Sequence, residues 1–329
     1  MILAGDVGAT RTRLGWFDVQ AGTLAPGFTR TYESRQQATL DGIVSTFLAE
    51  APGTVRLACL GIAGPVRDGR VEAINLPWIV DARSLAQRLH LERVLLVNDL
   101  EANAWGLAAL TDGDFAVLQR GRPIPTGNAA VISAGTGLGE AGLAWDGRRH
   151  RPVASEGGHA DWAPQDEGQM ALWRFLAAEG GHVSVERVLS GPGLHNIYRF
   201  LRDRQGLAEP SWLADALSRE EPGPLISRMG LEGRAEICAR ALELFVAIYG
   251  AEAGNLGLRL LATAGVYLGG GIAPQILEAL RGPAFLGAFT AKGRLRPFLE
   301  DIPVRVVLND HAALLGAARR AALEVGLLA

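Results

Sequence analysis

The sequence predicts an α/β protein of two domains around a central cleft, and three observations carry that prediction. Each half opens on a strand, a glycine-rich turn and a return strand. In the first half Ile2-Leu3-Ala4 runs into Gly5-Asp6-Val7-Gly8-Ala9-Thr10, and in the second Ala130-Val131-Ile132-Ser133 runs into Gly135-Thr136-Gly137-Leu138-Gly139. A single offset places Gly8, Leu14 and Trp16 on Gly137, Leu143 and Trp145, as a duplicated architecture would. The second observation is the unit Val94-Leu95-Leu96-Val97-Asn98-Asp99 followed by an alanine-rich run, a buried strand leading directly into a helix. The third is size: 329 residues, 48% hydrophobic and 20% charged, can bury two cores of ordinary dimensions.

Charge and composition exclude several function classes. A net charge of -3 with no clustered Lys/Arg tract offers nucleic acid no basic field. The chain starts on a strand without the basic and long apolar segments of a signal peptide, which predicts a cytoplasmic protein. Its most apolar segment, residues 256–272, is interrupted by Gly257, Arg259, Gly265 and three successive glycines, so no membrane span is expected. Cys59 and Cys238 lie far apart in apolar surroundings and read as buried free thiols. Lys292 is the sole lysine and stands away from every glycine turn.

In chain order, residues 2–19 read as a β-hairpin. Residues 36–50 carry apolar positions at helical spacing, and residues 54–63 are a buried strand. A short strand from Val71 carries Asn75 into a Pro77-Trp78 turn, and a helix follows around Ser84 to Leu89. Residues 111–128 have the composition of an interdomain crossing. Helices are expected over 168–178, 194–201 and roughly 232–261. Residues 205–224 read as surface, and a terminal helix spans 312–326. The predicted partition is a small domain of 1–110 plus 312–329 and a large domain of 111–311.

Asp99 is the first candidate catalytic group. A carboxylate beyond the carboxyl end of a strand sits where α/β sheets bind ligands, so it can act as general base, with Asn98 fixing a substrate hydroxyl. The alternative is that Asp99 caps the helix. Asp6 offers a carboxylate for magnesium, with Gly8 and Thr10 presenting N–H and hydroxyl groups to phosphate, although turn chemistry alone also explains Asp-x-Gly. The glycine turns lack the Gly-Lys-Ser/Thr of a P-loop and the immediate helix of a dinucleotide fingerprint. A nucleotide here would therefore rest on backbone N–H groups, threonine hydroxyls and magnesium. Glu156 and His159 share the spacing of a helical metal pair, but Gly157 and Gly158 argue against the helix. Flanking a flexible turn, they suit vicinal sugar hydroxyls instead, or form an exposed polar loop. Glu186 fits the first turn of a helix capped by Ser184. Gly269-Gly270-Gly271 offers bare backbone to a flat base. Asn309-Asp310 repeats the Asn98-Asp99 layout and reads as the second domain's cap.

The series Gly5-Asp6-Val7-Gly8-Ala9-Thr10, Val97-Asn98-Asp99, Gly135-Thr136-Gly137-Leu138-Gly139, Glu156-Gly157-Gly158-His159, Glu186-Arg187-Val188-Leu189-Ser190-Gly191-Pro192-Gly193 and Gly269-Gly270-Gly271-Ile272 resembles the bacterial ATP-dependent glucokinases over nearly the whole chain. The resemblance implies the actin-like ATPase (ribonuclease H-like) fold, with the C-terminal helix packed on the N-terminal domain, and a homodimer. It implies that Asp99 takes the proton of the glucose 6-hydroxyl while Asn75, Asn98, Glu156, His159 and Glu186 hold the other hydroxyls. Asp6 would orient Mg²⁺, and Gly8, Thr10, Gly135, Thr136 and Gly137 would cradle the phosphates of ATP. Gly269, Gly270 and Gly271 would pass near the adenosine.

Two departures stand out. Ala9 and Arg11 replace the Gly and Asn usual in the family's first turn, and Arg11 either assists phosphate binding or faces solvent. No cysteine cluster follows His159, which disfavours the related zinc-bearing sugar-kinase and repressor family. Two rival classes make distinct demands: a sugar-sensing regulator needs a DNA-reading segment, and a filament or client ATPase has no use for Glu156, His159 and Glu186.

Overall fold

The computed structural model describes residues 1–20, 22–51, 53–73 and 76–328. They form two compact units, Met1–Asp114 with Arg151–Ala154 and Asn309–Ala329, and Phe115–His150 with Ser155–Leu308. Asn75 lies outside the described residues.

The first unit contains β1 (Ile2–Val7), β2 (Arg11–Gln20), β3 (Thr23–Glu33), β4 (Leu57–Ile62), β5 (Arg70–Glu72), β6 (Ile79–Asp81) and β7 (Arg93–Asn98). Five of them make a sheet of order β3-β2-β1-β4-β7, antiparallel across the hairpin and parallel across β1-β4-β7. Every residue of β4 is buried, as befits a central parallel strand covered on both faces. One face is covered by Leu40, Ile43, Val44 and Phe47 of helix Leu40–Glu50. The other is covered by Ala313, Leu314, Ala317, Ala318, Ala321 and Ala322 of the C-terminal helix Ala312–Glu324, which pack against Ile2, Ala4, Phe17, Cys59 and Val97. That helix therefore packs on the N-terminal sheet, as the family resemblance implies. An alanine face admits close approach between helix and sheet.

The second unit contains β8 (Phe115–Gln119), β9 (Ala129–Ala134), β10 (Leu138–Trp145), β12 (Gly265–Gly269) and β13 (Val304–Val307), while β11 (His150–Ser155) has its two ends in this unit and residues 151–154 in the first. Strands β10-β9-β12-β13-β8 lie side by side, with β9-β10 antiparallel and β9-β12-β13 parallel. Both units thus join an opening hairpin to a parallel run. The 25-residue helix Glu236–Leu260 buries Phe245, Tyr249 and Ala253 in the larger core.

Several sequence expectations are corrected. The apolar patch inside residues 111–128 is strand β8, paired antiparallel with β13, because Ala116 and its neighbours complete the sheet's edge. Residues 205–224 are not simply surface. Helix Ser211–Leu217 and the start of helix Pro222–Leu231 lie there, anchored by Leu213, Leu225, Ile226 and Met229. The helix expected over 194–201 runs Gly191–Asp203, beginning within Ser190-Gly191-Pro192-Gly193, where Ser190 Oγ accepts the Gly193 N–H at 3.0 Å and proline occupies the first turn.

Candidate active site

In the first unit the sheet aligns the acidic groups. Asp6 is opposite Gly61 on β4, Gly61 is opposite Val97 on β7, and Asp99 begins helix Asp99–Gly106 two residues beyond. Gly61 is a steric necessity: a Cβ there would stand 2.7 Å from Ala102 Cβ and 3.7 Å from Asp99 Cα. The helix N-cap is Asn98, whose Oδ1 accepts the Leu100 N–H at 2.9 Å while its Nδ2 donates to Gly64 O at 3.2 Å. Asp99 is the first helical residue, and its Oδ1 shares the same Leu100 N–H at 2.9 Å. Asp99 is half-buried. Asn98 is the cap, and Asp99 shares its bonded N–H from within the first turn.

Asp310 is not a cap surrounded by nothing polar, nor does it group with the second unit. Its Oδ2 accepts from Arg13 Nη2 at 2.9 Å, and Arg13 Nη1 donates to its carbonyl at 2.6 Å. The capping oxygen beside it is Asn309 Oδ1, which accepts from the His311 N–H at 2.9 Å. Burial pushes the Asp6 carboxyl up to about 6 against the pull of Arg13, and the carboxylates of Asp99 and Asp310 push in the same direction as burial. Three carboxylates thus share the field of one guanidinium. Asp6 is a hard oxygen ligand in that negative field and fits a magnesium ion. Among the described residues no group of three or more His, Cys, Asp or Glu is placed to hold a metal, so the ion's other oxygens would come from phosphate and water.

The turn after β1 is held from below. Gly8 N–H donates to Arg11 O at 3.0 Å, Ser34 N–H to Thr10 O at 2.8 Å and Ser34 Oγ to Gly8 O at 2.8 Å, while Ser34 Oγ and the buried Thr12 Oγ1 lie 2.9 Å apart. Thr10 remains exposed. Arg11 is exposed and pairs with Glu33 at 3.5 Å across β2-β3. Ser34 and Thr12 escaped the sequence reading, since nothing in their local pattern marks them as the support of a turn.

In the second unit the remaining candidates converge on the ends of β9, β10 and β12. Gly135 N–H donates to Gly137 O at 2.8 Å, and Gly191 N–H, at the start of its helix, donates to Gly135 O at 2.8 Å. Glu186 Oε2 accepts the Leu138 N–H at 2.8 Å, occupying space that a Cβ on Gly137 would need. One Glu186 oxygen is thereby spent on the turn. Glu186 lies in the 3₁₀ turn Val185–Arg187 rather than in an α-helix, and Ser184 makes no side-chain cap. The turn Gly157–His159 abuts it, through Val185 N–H to Ala160 O at 3.0 Å and a bridge between Asp161 and Ser184. Glu156, His159 and Glu186 are therefore carried on adjoining turns, the first two exposed and the third half-buried.

The glycine pair 157–158 does not make that turn flexible. Each glycine lies against β10: a Cβ on Gly158 would overlap Leu138 O, and one on Gly157 would overlap the Glu140 carboxyl. At the third turn, Gly270 has φ 79° and its Cβ would strike Ala134 O, so residues 269–271 lie against the end of β9, next to residues 135–137.

Paired hairpin-led sheets with a glycine turn at each hairpin define the actin-like ATPase fold, and solved structures agree. A glucokinase from an Antarctic psychrotroph superposes with a TM-score of 0.83 at 28% identity, covering 97% of this chain and 98% of that one. A ROK-family glucokinase from Streptomyces griseus, solved with glucose and AMPPNP, shares the fold with a TM-score of 0.67 at 22% identity, over 98% and 99% of the two chains. This is an ATP-dependent hexose kinase. The glucokinase family model matches residues 3–324. The chain is 40% identical to the glucokinase of Nostoc punctiforme over 98% of this chain and 99% of the relative, and 36% identical to that of Cronobacter sakazakii over 96% and 95%. The chain belongs to the glucokinase family.

Proposed function

We propose that the chain transfers the γ-phosphoryl group of MgATP to the 6-hydroxyl of glucose, with Asp99 as general base. The observation that carries this reading is the placement of Asp99 at the end of β7 on a helix already capped by Asn98. Asp99 accepts the hydroxyl proton as the oxygen attacks the γ-phosphorus, and the bond from that phosphorus to the bridging oxygen breaks to release ADP. Asn75, Asn98, Glu156, His159 and Glu186 hold the other hydroxyls, Glu186 through the oxygen not bonded to Leu138. Gly8, Thr10 and residues 135–137 bind phosphate, and residues 269–271 receive the adenosine. Asp6 would orient the magnesium ion, which when bound would supply charge compensation for the phosphates. Positioning and electrostatics then account for most of the lowered barrier. Family membership also supports a homodimer working in the cytoplasm; among the described residues no helix is long and apolar enough to cross a membrane.

The decisive assay is ADP release with MgATP, with and without glucose, across a small panel of hexoses. Strong glucose-dependent turnover is expected; ATP hydrolysis indifferent to sugar would defeat the proposal. Glu156→Gln is expected to weaken glucose binding by roughly 1.5–3 kcal/mol, the loss of a charged hydrogen bond, with kcat changed far less. Calorimetric titration checks it, and an unchanged isotherm would remove Glu156 from the sugar site.

A further inference from the structure

Glu140 stands in the middle of β10, where apolar residues are the rule, and is 1% exposed. It lies near a second buried carboxyl, Glu252, 4% exposed on helix Glu236–Leu260, and the two are held about the same Arg259 side chain. Arg259 supplies the one guanidinium, with Nη1 2.7 Å from Glu252 Oε1 and 3.9 Å from Glu140 Oε2. The other Glu252 oxygen accepts from Asn255 Nδ2 at 2.8 Å, and Asn255 Oδ1 accepts from Lys292 Nζ at 2.7 Å. Both Glu252 oxygens thus accept hydrogen bonds, whereas Glu140 Oε1 is buried without a hydrogen-bond partner. Glu140 is therefore the member of the pair that carries the proton.

What Glu140 touches gives this arrangement its interest. Its carboxyl fills the space beneath Gly157, with Cδ only 3.0 Å from where a Cβ would stand. Gly157 opens the turn whose flanks are Glu156 and His159. From the other sides Glu140 faces Glu252 and Arg259 on the helix, and its register partner on β9 is the apolar Ile132.

We propose that Glu140 is a positioning residue for sugar binding: its neutral carboxyl is the floor on which the turn Gly157–His159 rests, and loss of its proton displaces that turn. This rests on the reading that Glu156 and His159 hold the sugar. Burial pushes the Glu140 carboxyl up to about 8, Glu252 adds to the rise and Arg259 opposes it. Ionisation would leave two buried carboxylates against one guanidinium, with the Lys292 ammonium beyond Asn255, and the Glu140 carboxyl bears directly on the turn at Gly157. Linkage fixes the direction of the effects. Glucose favours the protonated form, so binding near pH 8 takes up protons, and alkaline pH weakens binding without a matching loss in kcat.

The test compares the full-length protein with Glu140→Gln and Glu252→Gln by glucose titration calorimetry in buffers of different ionisation heat, and by glucose KM from pH 6 to pH 9. The wild type is expected to take up protons near pH 8 and to show a rise in KM of roughly fivefold or more across the alkaline limb, the lower end of ordinary coupling between sites. Glu140→Gln, which keeps the shape and a donor but cannot ionise, is expected to abolish both effects. Glu252→Gln leaves only one carboxyl in the site and serves as the second variant if the first does not fold. Proton uptake and an alkaline KM rise that persist in the glutamine variants, or their absence from the wild type, would overturn the proposal. Glu156→Gln separates the two readings: if it weakens glucose binding while Glu140→Gln behaves as wild type, the sugar-site reading survives and the Glu140 role does not. If Glu156→Gln leaves binding untouched, both fall.

Stability carries the same sign. Between the ordinary value of 4.5 and about 8 the folded chain holds a proton that the unfolded chain has released. The Glu140 contribution is fully present below 4.5 and is lost as pH rises through about 8. A thermal melt series should show Glu140→Gln with a flatter decline in this range.

Discussion

Asp99→Asn is expected to lower kcat by roughly 10²- to 10⁴-fold while glucose binding changes by much less, the signature of a lost general base. The substitution keeps the shape of the side chain and leaves the helix cap in place. Asn98 still caps the helix, and the Leu100 N–H keeps an acceptor 2.9 Å away. Removing a negative charge from the first turn costs about 0.3–1 kcal/mol of favourable interaction with the helix dipole. The kinetic loss corresponds to about 3–5 kcal/mol of barrier, so the dipole cannot account for it. Single-turnover phosphoryl transfer at saturating MgATP, beside a glucose binding isotherm, makes the measurement. A kcat within tenfold of the wild type would remove Asp99 as the base and return it to the helix end.

The strand that leads to Asp99 was legible because Val94, Leu95, Leu96 and Val97 are an unbroken apolar run and Asn98-Asp99 ends it. Both opening hairpins were legible for the same reason, with glycines marking the turns. Strand β3 was not. Thr23–Glu33 is an edge strand that buries little, and polar residues at its exposed positions leave no period to read. Helices Ser211–Leu217 and Pro222–Leu231 were hidden by proline, serine and glutamate around a few buried anchors such as Leu213 and Ile226. The contact between Arg13 and Asp310 spans 297 positions, and no local pattern predicts a partner at that distance. Glu140 did leave a signal. A glutamate between Gly139 and Ala141 in an apolar strand demands a buried partner, but only the fold reveals that the partner is Glu252 and that Gly157 lies on top. The glycine pair 157–158 likewise looked like freedom of motion and proved to be close packing, two meanings of glycine that sequence alone does not separate.

Gly316→Val is expected to cost about 3 kcal/mol of stability, at the upper end of ordinary overpacking. Gly316 lies on helix Ala312–Glu324 where it crosses helix Asp99–Gly106. A Cβ there would overlap Ala102 O, and Gly106 faces Ala312 O in the same way. The two backbones are in contact, so no side-chain rotation relieves the clash and the helices must separate. Gly316→Ala is the sharper case, because two effects oppose each other. Alanine favours an α-helix over glycine by about 1 kcal/mol. An atom forced into a backbone carbonyl costs more than that, so Gly316→Ala should also destabilise. For Gly316→Val a fall of roughly 6–12 °C in the melting midpoint of the unit follows from the stability loss. The same displacement moves the helix that begins at Asp99, so kcat should fall in whatever fraction stays folded, with Glu156 and His159 in the other unit unaffected. Calorimetric melting with parallel kinetics tests both statements. A Gly316→Ala protein that melts at or above the wild-type temperature would show that the two helices have room to part, and that Asp99 is not held by their contact.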